Sequence, residues 1–186
     1  MTIPNFQDGV LPVGDYEATF AELRASVLVN GNGELRQNWD KEWRGQLVSN
    51  LEVMVNQLWQ VGIENIFIDG SFAEDKDHPN DIDGYFECDL KRLASGELHR
   101  DLNLLDEHKI WTWDHKTRTP HLGYPKKQLP MWHVYRVELY PHVSGYTCGI
   151  KDKHGNELEF PAAFRLSRSD DKPKGIIKII KDRRQS

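Results

Sequence analysis

Ile66-Phe67-Ile68-Asp69-Gly70-Ser71 and, after an interval of nine residues, Asp81-Ile82-Asp83 are the segments whose reading decides the fold. An apolar run from Ile63 to Ile68 feeds a tight Gly-Ser turn, and a second segment then opens on two carboxylates spaced by one residue. β-Branched and aromatic side chains predict a strand over Glu64 to Asp69. Alternate residues of a strand project to one face, roughly 7 Å apart along the chain. Asp81 and Asp83 are therefore expected to point together, beside a turn whose backbone N–H groups are free. Hard oxygen ligands next to free backbone donors suit a Mg²⁺-bound polyphosphate.

Upstream of this stretch, Trp43, Leu47, Leu51, Met54, Leu58 and Val61 recur at intervals of four and three. That spacing predicts an amphipathic helix, started by Asn38 or Asp40 and ended at Gly62. Thr19-Phe20-Ala21-Glu22 has capping-box spacing and predicts a short helix to about Val27, broken by Asn30-Gly31-Asn32-Gly33. The first fifteen residues read as irregular. Downstream, Asp81 to Asp89 reads as the second strand, with Asp81, Asp83, Tyr85, Glu87 and Asp89 on a face that borders solvent or metal. Leu90 to Leu105 reads as helix interrupted near Ser95-Gly96, and 111–130 as a long functional or mobile loop. His133 to Tyr140 is a third strand candidate. Tyr146–Lys151 and Glu157–Phe160 flank a hairpin turn, and Gly175 to Ile180 is a last apolar run. The order predicts an α/β (α+β) fold: one domain over 1–186, a mixed β-sheet with helices packed mainly on one side.

A chain of 186 residues can bury a real core, and 10% aromatic content argues against disorder despite a mean hydropathy of −0.66. Cys88 and Cys148 give neither a disulfide framework nor zinc spacing and read as buried thiols in a reducing compartment. With no signal-peptide pattern and no apolar run near 18 residues, the expected location is cytoplasmic, away from the membrane. The net charge of −5 is uneven: residues 165–186 carry eight Lys or Arg against three Asp, so the rest of the chain stands at −10. A basic terminal segment is either a solvated face or a contact for phosphates.

Two aspartates from one strand ordinarily need a third acid to complete a metal site. Val137-Glu138-Leu139 supplies one, an acid inside an apolar run. Its partner is either a metal or, on the same expected strand face, Arg136. His115 and His121 form no metal-binding motif, and Ser167 and Ser169 sit in no nucleophile motif. Trp111, Trp113, Tyr124 and Trp132 could stack a base, although aromatic residues in a long loop more often pack it down.

The Gly-Ser turn, the acidic pair and the later apolar-acid-apolar strand resemble the polymerase-beta-like nucleotidyltransferase superfamily over a core of about residues 64–140. A looser similarity, carried by Leu11-Pro12, Gly14, Gly70-Ser71-Phe72, Pro79-Asn80-Asp81-Ile82-Asp83 and Lys174-Gly175-Ile176, extends to small uncharacterised bacterial and phage proteins of this type. The resemblance implies a nucleotidyltransferase-like fold. It also implies a Mg²⁺-dependent transfer of an NMP from an NTP, such as ATP, to a hydroxyl of tRNA, protein or a small molecule. Gly70 and Ser71 would hold the triphosphate. Asp81, Asp83 and Glu138 would be the catalytic, metal-holding acids, and Lys174 with Arg165 would offset phosphate charge. The sequence departs from the pattern at Gly84, where an apolar residue is usual, and in the acidic loop of Glu74, Asp75 and Asp77, which metal or Lys76 would have to offset. The alternative is a nucleotide- or partner-binding module with the same fold and no turnover. A toxin–antitoxin or phage-defence role is compatible with either.

Overall fold

A computed structural model of the chain describes residues 3–33, 37–168 and 170–182. Ser169, Arg183 and Arg184 lie outside the described residues, as does the ring of Tyr124. The strands are β1 (Asp15–Ala18), β2 (Ile66–Asp69), β3 (Ile82–Glu87), β4 (Thr119–His121), β5 (Tyr124–Gln128), β6 (Val137–His142) and β7 (Ile176–Ile179). The helices are α1 (Phe20–Ala25), α2 (Val27–Asn30), α3 (Lys41–Gln60), α4 (Leu90–Ala94), α5 (Glu97–Leu105), α6 (Pro130–Tyr135) and α7 (Phe160–Ala163). A mixed five-stranded sheet runs in the order β1-β7-β2-β3-β6, and β4-β5 forms a separate two-stranded ribbon. β1–β7 and β3–β6 are parallel, while β7–β2 and β2–β3 are antiparallel. The fold is therefore α+β with a mixed sheet, as the order of elements predicts.

The two faces of the sheet differ because side chains alternate along each strand. One face carries Ile66, Ile68, Ile82, Phe86, Val137, Leu139, Ile177 and Ile179, all packed into the main core with Leu47, Leu51, Met54 and Leu58 of α3. Each such side chain contributes about 1.5–3 kcal/mol by leaving water. The helix starts where its sequence says it should, with the Asp40 carboxylate accepting from the Trp43 N–H at 2.9 Å. Thr19 likewise caps α1 in a reciprocal capping box with Glu22. The opposite face is polar at one end and aromatic at the other, where Tyr85 and Ile176 pack under Phe160 and Phe164.

Several segments differ from expectation for local reasons. The His133–Tyr140 run divides. Pro130 begins α6, Arg136 ends it in the left-handed conformation (φ 55°), and the strand starts only at Val137. The 111–130 loop contains the β4–β5 ribbon; Trp111 in the loop and Trp132 on α6 just after it are both fully buried, so these rings pack the segment down. Lys151 and Glu157 form a single bridge in place of a full hairpin, because Phe160-Pro161 opens α7. On β3 the expected solvent or metal face is interrupted at Tyr85, which is 2% exposed under the aromatic layer of α7. Asp89 leaves that face to cap α4 through the Arg92 N–H. Both cysteines are unpaired and half-buried. No helix among the described residues is long and apolar enough to cross a membrane.

Candidate active site

Register brings the acids together. Asp83 on β3 stands opposite Asp69 on β2 and beside Glu138 on β6. In-register residues of neighbouring strands share a face and lie about 4.8 Å apart. Asp81, two residues before Asp83, projects the same way. Three acids abreast repel one another strongly in a region poor in water, and each must be relieved.

Two of the three are relieved by the protein itself. Asp69, fully buried, lies 3.2 Å from the Lys174 Nζ, which also reaches Glu74 Oε1 at 2.8 Å and the Gly70 carbonyl at 3.2 Å. Burial nevertheless pushes the Asp69 carboxyl well above its usual range, with Lys174 acting against that rise. The Asp69 contact with Lys174 is an ion pair without hydrogen-bond geometry, since neither carboxylate oxygen has a hydrogen-bond partner among the described residues. Glu138, 2% exposed, accepts from the Leu129 N–H at 3.1 Å, from Arg118 Nη1 at 3.3 Å and from the Tyr140 hydroxyl. Its cation is thus Arg118. Arg136, the partner weighed from sequence, lies beyond the strand with its guanidinium 3.9 Å from the centre of the Trp132 ring.

The third acid is not relieved. Among the described residues Asp83 pairs only with the exposed Arg168 Nη2, 3.9 Å away, and Asp81 accepts from Trp132 Nε1 at 2.7 Å. Burial, and then the charge of Asp81, push the Asp83 carboxyl up to about 7. Asp81 is also raised, chiefly by burial and also by the charge of Glu138, with the Trp132 hydrogen bond opposing. These two carboxylates line a cleft of about 340 Å³ together with Gly70, Ser71, Lys126, Arg168 and Lys174. A hard cation at these two carboxylates would favour their charged forms against the burial that chiefly raises both.

The turn is built to let that cleft form. Gly70 has φ +72°, and a Cβ there would stand 2.9 Å from Asp83 Oδ2, so conformation and space both demand glycine. Gly70 to Ala73 make one helical turn whose first N–H groups have no partner within the turn. Glycine is required at position 84 for a visible reason: a Cβ would come within 2.4 Å of the Phe67 carbonyl oxygen and 2.8 Å of Leu139 Cδ2. The loop after the turn is held by Arg44 of α3, which is fully buried. Its guanidinium donates to the carbonyls of Leu28, Phe72, Glu74 and Lys76 and lies 4.0 Å from the centre of the Trp39 ring.

The structure thus gathers Gly70, Ser71, Asp81, Asp83 and Lys174 at one cleft and sets Glu138 in the adjoining strand position. Arg165 is elsewhere, paired with Asp15 of the edge strand. Among the described residues no three His, Cys, Asp or Glu side chains form a group that could hold a metal ion. The donor set that remains, two carboxylates beside the Gly70–Ser71 turn, fits Mg²⁺, which is commonly held by one or two carboxylates with phosphate and water completing its shell. Sequence reasoning missed Lys126 and Arg168 as cations at the cleft, Arg118 as the partner of Glu138, and Arg44 as the clamp on the loop. Only tertiary contact links them to the motif. Arg44 alone left a sequence trace, a cation directly beside Trp43 on the helix's apolar stripe.

No curated protein and no solved structure gives a significant match to this chain. A family model described as a family of unknown function (DUF6932) matches residues 4–180, and the chain belongs to that family.

Proposed function

We propose that the protein is a Mg²⁺-dependent nucleotidyltransferase of the polymerase-beta-like type, moving an NMP from an NTP to a hydroxyl acceptor. One observation carries this reading: among the described residues Asp69 and Glu138 each have a close internal cation, whereas Asp83 and its neighbour Asp81 do not and face the cleft beside the Gly70–Ser71 turn. Mg²⁺, when bound, would neutralise this pair and polarise the α-phosphate. Asp81 and Asp83 would hold it, and the amides at Gly70 and Ser71 would take phosphate oxygens. Lys126 and Arg168 are the cleft's available cations for phosphate, whereas Lys174 spends its charge on Asp69 and Glu74. A second hollow of about 490 Å³ shares Ile150, Ala163, Leu166 and Arg168 with the cleft and gives room for a nucleoside. Positioning and charge neutralisation would supply most of the rate enhancement. Free NTP as substrate places the work in the cytoplasm.

The test is incubation with α-labelled NTPs, Mg²⁺ and cell extract. Label should move to an acceptor with the wild-type protein and not with the Asp81→Asn, Asp83→Asn double variant. Transfer that persists in the double variant overturns the assignment. A second reading, nucleotide binding without turnover, is favoured by the engagement of Glu138 with Arg118, Leu129 and Tyr140, which occupies the acid expected to activate the acceptor. Calorimetry separates the two: binding indifferent to Mg²⁺, with no pyrophosphate released, supports the second.

A further inference from the structure

The acceptor can be narrowed from the charge around the cleft. Residues 115–137 hold five Lys or Arg and three His with no Asp or Glu, whereas the other 163 residues carry a net −10. This segment contains the β4–β5 ribbon, which stands apart from the main sheet and exposes Pro120, Leu122, Gly123, Lys126 and Lys127. Its base is anchored to the catalytic strand. Arg118 bridges the Lys127 carbonyl (3.2 Å), Glu138 (3.3 Å) and the Tyr140 hydroxyl (3.0 Å), and Thr119 Oγ1 meets His133 Nε2 at 2.9 Å. Lys126 and Gln128 wall the cleft, so by strand alternation Lys127 points to the ribbon's other face. Among the described residues Lys116, Lys126 and Lys127 make no ion pair within 4 Å.

We propose that this ribbon grips a polynucleotide and that the acceptor is the hydroxyl at its single-stranded end, seated in the cleft beside Asp81 and Asp83. The proposal rests on the nucleotidyltransferase reading of that site. Uncompensated cations that begin at the cleft wall and continue outward along an exposed ribbon match a chain of phosphates. Outside this segment and the basic stretch 165–186 the chain is net acidic and repels such a polyanion, which favours this track. The cleft, at about 340 Å³, admits a strand end and not a folded protein surface. A polycationic small acceptor would meet Lys126 and Arg168 at the rim. In the step itself the terminal hydroxyl oxygen bonds to the α-phosphorus as the bond to the β-bridging oxygen breaks. Pyrophosphate leaves with that electron pair, and the hydroxyl proton passes to water.

The experiment is fluorescence anisotropy with 5′-labelled single-stranded RNA and DNA oligonucleotides over a range of salt. It compares the wild-type chain with a Lys116→Glu, Lys127→Glu variant, both positions being exposed and away from the cleft wall. Mg²⁺-ATP affinity is measured in parallel by calorimetry. The expected result is salt-sensitive binding, with log K falling by about 0.7 per decade of salt for each neutralised single-strand phosphate. The charge reversals should weaken oligonucleotide binding at least about tenfold and flatten that slope by about 1.4, with ATP affinity unchanged. Labelled NTP should then be incorporated onto whichever of RNA or DNA is the acceptor, and less by the variant. Failure of the wild type to bind either oligonucleotide, or equal binding by the variant, overturns the proposal. Binding of an acidic polypeptide in their place overturns it in favour of a protein partner. If oligonucleotide binding depends on the ribbon but Mg²⁺-ATP does not bind, the nucleotidyltransferase reading has failed, and the acceptor role falls with it.

Discussion

Asp69 and Asp83 are cross-strand neighbours on one face of one sheet, yet the protein treats them in opposite ways. Asp69 also borders the cleft but is fully buried, with Lys174 inserted between it and Glu74. Asp83 is left crowded against Asp81, facing a cleft with only a distant, exposed arginine for relief. The comparison teaches that acidic content alone does not mark a site. A buried carboxylate with an internal cation is architecture, whereas a pair without one carries a standing electrostatic cost that a ligand can remove.

The sharpest way to break the comparison is to remove the internal cation. Lys174→Met should destabilise the fold by about 3–5 kcal/mol, read as a lower urea midpoint, because Asp69 and Glu74 are left facing each other with their cation gone. Adding Asp69→Asn should recover much of that loss. An unchanged midpoint would mean that the two acids are not distinguished by Lys174 after all.

Asp83→Asn should act with the opposite sign on stability and abolish function. NMP transfer is expected to fall a hundredfold or more, about 3 kcal/mol of transition-state stabilisation. The melting temperature of the metal-free variant at pH 8 should meanwhile equal or exceed that of the wild type, since the crowded charge has gone. A variant that is both inactive and less stable would mark Asp83 as structural.

Next come the glycines that let the strands and turn approach. Gly84→Ala and Gly70→Ala should each cost about 1–3 kcal/mol. Only Gly70→Ala should also weaken Mg²⁺-nucleotide binding in the folded protein, because its new methyl meets Asp83 and not the strand backbone. Equal effects on binding would remove the special standing of the turn.

The dependence on pH probes the comparison without a change at the turn. Asp83 titrates near 7 in the folded chain against about 3.9 unfolded, so between these values the folded state binds more protons. Stability without metal should therefore fall as pH rises from about 4 to 7, read as a lower melting temperature. Mg²⁺ at pH 8 should restore it, and Asp83→Asn should flatten the profile. A stability that rises across the same window would contradict the state assigned to the pair.

Much of the frame was legible in the chain itself. The 3.6-residue stripe of α3, the capping box of α1, the break at Ser95-Gly96 and the strand-turn-strand around Gly70 are local matters of periodicity and backbone preference, and all appear. Arg136 was misplaced because its left-handed conformation at the end of α6 separates helix from strand inside one apolar run. Lys126, Arg118 and Arg168 were invisible as site residues because their importance lies in contacts spanning tens of residues.

The sequence by itself determined which residue types could hold a cation and phosphate, and that Asp81 and Asp83 would share a face, because strand alternation is a property of the backbone. Only the tertiary structure decided which acids keep their charge uncompensated. That choice depends on where Lys174 and Arg118 arrive in space, and Coulombic relief acts through distance, which chain order does not encode.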